Sequence, residues 1–363
     1  MEQRIYNFSS GPAVLPLSVL KEAQRDLLCL PGEGVSALEI SHRSPWFEKC
    51  LAQTEENLRR LLGIPSNYKV LFLQGGSRLQ FTMLPMNLLR GTGKSADYIV
   101  TGSWSKMAVD EAKREGNVRI AYNGKATNFD RLPEPKELDL DPGAAYCYFT
   151  SNETIQGVQF AGPPVDGPAP LICDASSDFL HRPVPIEKYG VYYACAQKNA
   201  GPAGVTMVII RDDLLSRSSP ELHTMLNYKS YADEKSLLNT APVFAIYIVN
   251  LVTKWLLDEV GGLDRMLAHN QKKAKLLYDV IDSTGGFYKG HAQPNCRSLM
   301  NVTFRLADDA TQDRFLKQAE AQGLHYLKGH RSVGGVRASI YNAMPMEGVE
   351  LLRDVMVDFA KKG

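Results

Sequence analysis

Six short apolar runs, rich in β-branched and aromatic residues, constrain the fold of this chain more than any other feature. They fall at Lys69–Leu73, Asp97–Thr101, Ala145–Thr150, Pro170–Cys173, Val191–Cys195 and Val205–Ile210. Helical patterns lie before and between them, including Leu17–Leu28, Phe47–Leu62 and Leu79–Leu88. Such alternation predicts an α/β protein with a mostly parallel sheet flanked by helices. Near Asn239-Thr240 the texture changes. A long helix begins after Pro242, and the Gly261-Gly262 pair supplies a stop. Beyond it come a helix (Leu263–Asp282), a strand (Asn301–Leu306), a helix (Thr311–Gln322), a strand (Gly335–Tyr341) and a helix (Gly348–Lys361). The pattern predicts a large domain over residues 16–260 and a smaller α/β domain over 261–363. A length of 363 residues accommodates both.

Composition narrows the function classes. Lys plus Arg (41) nearly balances Asp plus Glu (40), so no global field recruits nucleic acid or an anionic membrane. The cysteines, at 29, 50, 147, 173, 195 and 296, form no C-x-x-C pair and mostly sit in apolar runs. They read as reduced, buried thiols rather than a disulfide frame or a metal site. The opening Met-Glu-Gln-Arg lacks the apolar stretch of a signal peptide, and the most apolar segment, Val243–Val249, is far shorter than a membrane span. A soluble, cytoplasmic globule is expected.

Three motifs carry chemistry. In "VLFLQGGSRLQF" (70–81) a strand runs into Gly75-Gly76, and Ser77 and Arg78 open a helix. Helix N-terminal amides beside glycines can hold a phosphate, although an ordinary β–α turn has the same pattern. In "PLICDASSDF" Asp174 follows a short apolar strand, placing a carboxylate where open α/β sheets bind ligands. An Asp that only caps the next helix would read alike, and Asp178 is a rival further from the strand end. In "YYACAQKNAGPAGVTMVII" (192–210) Lys198 stands between two buried runs, where an ammonium is costly to desolvate. Gly93-Lys94-Ser95 is a decoy: Leu88 stands where a P-loop needs its first glycine, and a helical stretch precedes it. A phosphate cradle, a carboxylate and a lysine at adjoining strand ends are together what pyridoxal 5′-phosphate requires.

Seven stretches, in order, carry a resemblance: "NFSSGPAVLP", "EISHRS" (39–44), "GGSRLQF", "SNETIQGVQF" (151–160), "AQKNAGPAG", "NTAP" (239–242) and "KGHRSVGGVRASIYNAMP" (328–345). Along essentially its whole length the chain resembles the phosphoserine aminotransferases, class V pyridoxal-phosphate enzymes of the aspartate-aminotransferase fold (fold-type I). The resemblance implies that Lys198 bonds covalently to the cofactor and Asp174 pairs with its ring nitrogen. Trp104 would stack on the ring. Thr154 and Gln197 would hydrogen-bond the cofactor, and Ser77 and Arg78 would hold its phosphate through their amides. Asn239 and Thr240 match positions that reach the phosphate in a neighbouring subunit, implying a homodimer with shared active sites. Arg337 would hold a substrate α-carboxylate. His42, Arg43, His330 and Arg331 would surround the substrate's phosphate or second carboxylate, although isolated His-Arg pairs are commonly solvated surface groups. Ser10, in residues 1–15, would pack near the site and close it. The sequence departs from the family's pattern at Ser77, where a third glycine is common, and at Leu79, where a small residue is usual.

The activity implied is transamination between L-glutamate and a phosphorylated 2-oxo acid, 3-phosphohydroxypyruvate, in serine biosynthesis. The resemblance also admits 3-hydroxy-2-oxo-4-phosphooxybutanoate, of vitamin B6 synthesis. Alternatives are another class V enzyme, such as an alanine–glyoxylate aminotransferase or a cysteine desulfurase, or a non-catalytic binding protein on the same fold. For the desulfurase only Cys296 in "AQPNCRSL" is available, without the expected surroundings. The intact Lys198 and Asp174 speak against the binder.

Overall fold

The central sheet has seven strands: β1 (Tyr68–Leu73), β2 (Ser95–Val100), β3 (Asn117–Asn123), β4 (Cys147–Thr150), β5 (Leu171–Asp174), β6 (Val191–Cys195) and β7 (Thr206–Arg211). They are seen in a computed structural model that describes residues 4–331 and 334–362. Residues 1–3 of the expected N-terminal segment, residues 332 and 333 of the His330-Arg331 motif, and residue 363 lie outside the described residues. The strand order is β1-β7-β6-β5-β4-β2-β3, and β7 alone runs antiparallel to its neighbours.

Apolar residues on both faces of the strands explain why the sheet is covered on both sides. Along β1, Val70 and Phe72 pack into one core while Leu71 and Leu73 pack into another. Along β6, Tyr192 and Ala194 share the first core and Val191 and Tyr193 the second. Successive side chains leave opposite faces of a pleated strand, so buried neighbours demand helices on both faces.

Several elements went unread in the sequence. Strand β3 ("NVRIAYN") is the sheet edge and mostly exposed or half-buried, so it carries no continuous apolar run. The helices Ser103–Ala112 and Tyr228–Asp233 are others. The strand expected at Pro170–Cys173 extends to Asp174, whose backbone pairs with Thr150 and Tyr193. The helix after Pro242 runs from Val243 to Trp255, passes into a π-helical turn (Leu256–Val260) and stops at Gly261 and Gly262, with φ of 84° and 99°.

A third core lies around a three-stranded sheet of β8 (Lys289–Gly290), β9 (Asn301–Arg305) and β10 (Val336–Ser339). Helices Leu263–Ser283, Asp309–Ala321 and Met346–Lys362 contribute Leu277, Phe315 and Leu352 to it. Phe8 joins that core, and Tyr6–Asn7 pairs in parallel with Leu324–His325. The N-terminal segment is thereby anchored beside β10, with residues 10–13 free to run on toward β6.

Candidate active site

Because β1, β2, β4, β5 and β6 are parallel, their C-terminal ends share one edge of the sheet. Gly75, Trp104, Thr154, Asp174 and Lys198 all lie at or just beyond those ends. Lys198 Nζ donates to Thr154 Oγ1 at 3.2 Å and sits 5.0 Å from the centre of the Trp104 ring. The lysine is half-buried. The N-terminal segment closes over it: Ala13 N donates to the Gln197 carbonyl at 2.9 Å, and a Cβ at Gly11 would stand 3.4 Å from Lys198 Cγ.

Asp174 ends β5 with 3% of its surface exposed. Its carboxylate accepts from Ser176 N at 2.9 Å. Burial pushes its pKa up, and the Lys198 charge opposes that rise. A cationic ring nitrogen placed there would complete the stabilisation of the carboxylate. Asp178 is buried too, but its oxygens accept from Ser151 Oγ and from Gln159 Nε2 (3.0 Å), and the His181 ring contacts its carbonyl. Its hydrogen bonds are committed to the fold.

The turn after β1 fits a phosphate. Gly75 and Gly76 have φ of 92° and 65°, the left-handed region that glycine adopts readily, and Gly76–Leu88 forms the helix behind them. A Cβ on Gly75 would stand 2.4 Å from Leu79 Cδ2, so the leucine that departs from the family's small residue makes this glycine obligatory. Ser77 Oγ shares a hydrogen bond with Ser176 Oγ, which also accepts from Cys195 N at 3.2 Å. Arg78 is exposed, and its guanidinium rests on Met107 Sδ at 3.1 Å. The Thr240 carbonyl accepts from Gln74 Nε2 at 3.2 Å, so the Asn239-Thr240 loop lies beside the same strand end.

Ser10, Arg337 and Tyr341 form the other wall. Arg337 Nη2 donates to Ser10 Oγ at 2.6 Å, and Tyr341 Oη donates to the Ser10 carbonyl at 2.9 Å. Among the described residues no carboxylate pairs with Arg337. The guanidinium borders a small recess with His330, His291, Arg305 and Ile155. Burial and the charges of Arg337 and Arg331 push the His330 pKa down. Arg331 itself is exposed.

His42 and Arg43 stand just before the helix Pro45–Leu62, capped by Ser44. Neither is among the residues that line the recess. Glu153 escaped the sequence reading. It is a fully buried carboxylate beside Thr154 that accepts from Trp104 N and Ser105 N, both at 2.9 Å. Its only signal was an acid inside the quoted run "SNETIQGVQF".

The chain matches the model of the family "Aminotransferase class-V" over residues 5–352. It is 53% identical over 361 residues to the phosphoserine aminotransferase of Rhodopirellula baltica, covering 99% of this chain and 96% of that one. It is 52% identical to that of Laribacter hongkongensis, covering 99% of each. Among solved structures, the phosphoserine aminotransferase of Bacillus circulans subsp. alkalophilus matches with a TM-score of 0.97 at 48% identity, over 99% of both chains. The PLP-bound phosphoserine aminotransferase of Trichomonas vaginalis matches with a TM-score of 0.92 at 41% identity, over 98% of this chain and 100% of that one. With its mostly parallel sheet and lysine-centred edge, the chain belongs to the class V aminotransferases, among the phosphoserine aminotransferases.

Proposed function

We propose that the protein transfers the amino group of L-glutamate to 3-phosphohydroxypyruvate, giving O-phospho-L-serine and 2-oxoglutarate, with pyridoxal 5′-phosphate held at Lys198. One observation carries the placement of the cofactor. Lys198 stands at the sheet edge among the Trp104 ring, the buried Asp174 and a glycine-opened helix terminus. The Trp104 indole N–H is buried without a partner among the described residues, a donor left over for a ligand.

When bound, the cofactor supplies a sink for the electron pair left as the substrate Cα loses its proton. Lys198 Nζ holds the cofactor covalently between turnovers, and during turnover takes the Cα proton and later returns it. Asp174 keeps the ring nitrogen protonated by its negative charge. The amides of Ser77 and Arg78 hold the phosphate at the helix terminus. Trp104 covers the ring face, while Thr154 and Gln197 orient ring and lysine. Arg337, without an internal carboxylate, takes the α-carboxylate common to both substrates. His330 and Arg331 take the substrate's phosphate, completed by His42 and Arg43. That last pair does not line the recess within one chain, which supports their arrival from a second copy, as does the need for Asn239 and Thr240 at a neighbour's phosphate. A homodimer is therefore part of this reading. A cytoplasmic setting suits it, and no helix among the described residues is long and apolar enough to cross a membrane.

Coupled assays with glutamate and each phosphorylated keto acid, on one preparation, test the reaction. Turnover with 3-phosphohydroxypyruvate is expected, and turnover with the four-carbon acid alone would overturn the assignment. Lys198→Ala should lose at least about 10²–10⁴-fold in kcat through the missing acid–base group.

A further inference from the structure

We propose that Glu153 is a positioning residue that fixes the Trp104 ring over the Lys198 amine by clamping the first turn of the helix Ser103–Ala112. The inference rests on the assignment of Trp104 and Lys198 to the cofactor site. Glu153 has no exposed surface, and both carboxylate oxygens point at that turn. Oε2 accepts from Trp104 N at 2.9 Å; Oε1 accepts from Ser105 N at 2.9 Å and from Ser105 Oγ at 2.6 Å. Ser105 Oγ in turn accepts from Thr101 N and Gly102 N, each at 3.1 Å, so the connection from β2 to Trp104 is gathered on one carboxylate.

The placement has been built around the acid. A Cβ at Gly102 would stand 2.4 Å from Glu153 Cδ, so the carboxylate lies hard against a backbone that only glycine allows. No cation neutralises it among the described residues. Burial raises its pKa, and the Ser105 hydroxyl and the two amides oppose that rise. The next residue, Thr154, accepts from Lys198 Nζ. Asn152, on the other side, donates to Ser177 Oγ and to Asn301 Oδ1, both at 2.8 Å. Residues 152–154 thus hold the lysine through one side chain and the tryptophan through the next, on a segment itself hydrogen-bonded to Ser177 and Asn301. An ordinary helix cap is a serine, threonine or aspartate at the cap position itself, whereas this acid reaches in from a separate strand.

The test uses the full-length holoenzyme and its cofactor-free form, labelled with 5-fluorotryptophan. Trp46, Trp104 and Trp255 give the fluorine resonances, and that of Trp104 is identified by its loss in Trp104→Phe. Glu153→Gln turns one acceptor into a donor facing a main-chain N–H. It should shift or broaden the Trp104 resonance alone and weaken pyridoxal-phosphate binding about tenfold, the scale of a lost cap. The control is Lys106→Gly, at an exposed position of the same helix, which loosens the helix without touching Glu153. It should move neither readout. An unmoved Trp104 resonance in Glu153→Gln, or an equal movement in Lys106→Gly, overturns the inference. If Glu153→Gln does not fold, Ser105→Ala replaces it: it removes one donor to the carboxylate and should move both readouts in the same direction. Ser105→Ala indistinguishable from Lys106→Gly is likewise a refutation. Failure of the parent to bind pyridoxal phosphate would instead remove the functional assignment, while the fluorine spectrum still decides the clamp.

Discussion

Lys273, on the helix Leu263–Ser283, is fully buried. Its ammonium donates to the carbonyls of Ile340 (3.0 Å), Tyr341 (2.6 Å), Asn342 (3.4 Å) and Met344 (3.3 Å). Among the described residues no carboxylate pairs with it. Burial pushes its pKa from the ordinary 10.5 down to about 7. Between those values the unfolded chain keeps the proton that the folded chain has released, so stability rises with pH across that window. Below it both states are protonated and the burial penalty is fully present; above it neither carries the charge. The whole interval corresponds to at most about 5 kcal/mol, near 1.4 kcal/mol per pH step. The surrounding carbonyl dipoles stabilise the ammonium, which makes that value a ceiling. Urea unfolding of the parent and Lys273→Met, at one protein concentration and roughly pH 6.5, 8 and 9.5, isolates the effect from other titrating groups. The parent should gain a few kcal/mol on the variant from the lowest to the highest pH. Parallel pH profiles would show that the carbonyls keep Lys273 charged throughout and that burial does not govern its proton.

Asp174→Asn should retain cofactor through the phosphate site yet slow the half-reaction with glutamate; Asp178→Asn should lower the unfolding midpoint and leave that half-reaction near the parent rate. The reverse pattern in stopped-flow absorbance would exchange their roles. Arg337→Leu should reduce kcat/KM for glutamate and for 3-phosphohydroxypyruvate alike, by a hundredfold or more, roughly 2–5 kcal/mol for an anion left without its partner. Arg331→Leu should affect the phosphorylated substrate selectively and less strongly, because Arg331 is exposed in the single chain. Equal losses for both substrates in both variants would show the anion sites to be misassigned. Gly75→Ala combines a left-handed backbone with a clash against Leu79, so its pyridoxal-phosphate affinity should fall, and Leu79→Ala in the same chain should recover part of it by removing the clash. Calorimetric titration reads both, and an undiminished affinity in Gly75→Ala would refute the cradle.

What was legible in the sequence follows from where each residue finds its partners. Strands β1, β4, β5 and β6 are buried on both faces, so their apolar runs announced themselves. The edge strand β3 has a face in water and left no such mark. Lys198 and Asp174 could be placed because strand ends locate them, and the parallel sheet brings strand ends together whatever lies between. Sequence favours Asp174 over Asp178 by its place at the strand end; the hydrogen bonds that Asp178 accepts from Ser151 and Gln159, at other places in the chain, could not be read there.

Glu153 was harder still. Its partners are main-chain amides at 104 and 105, and an amide carries no residue identity by which a sequence could advertise it. The cations divide on the same principle. Arg337 reaches Ser10 because Phe8 is anchored in the third core, a long-range contact within one chain. His42 and Arg43 match the same family motifs but have no such anchor toward the recess. Motif resemblance assigns them a ligand without saying from which copy they approach it. In the proposed dimer a mixed molecule decides the matter: one subunit carries Lys198→Ala and the other Arg43→Leu. If Arg43 serves its partner, the Lys198→Ala subunit places both defects in the same composite site and leaves the second site intact, so half the parental activity should survive. If Arg43 serves its own chain, each site carries one defect and activity with 3-phosphohydroxypyruvate should nearly vanish.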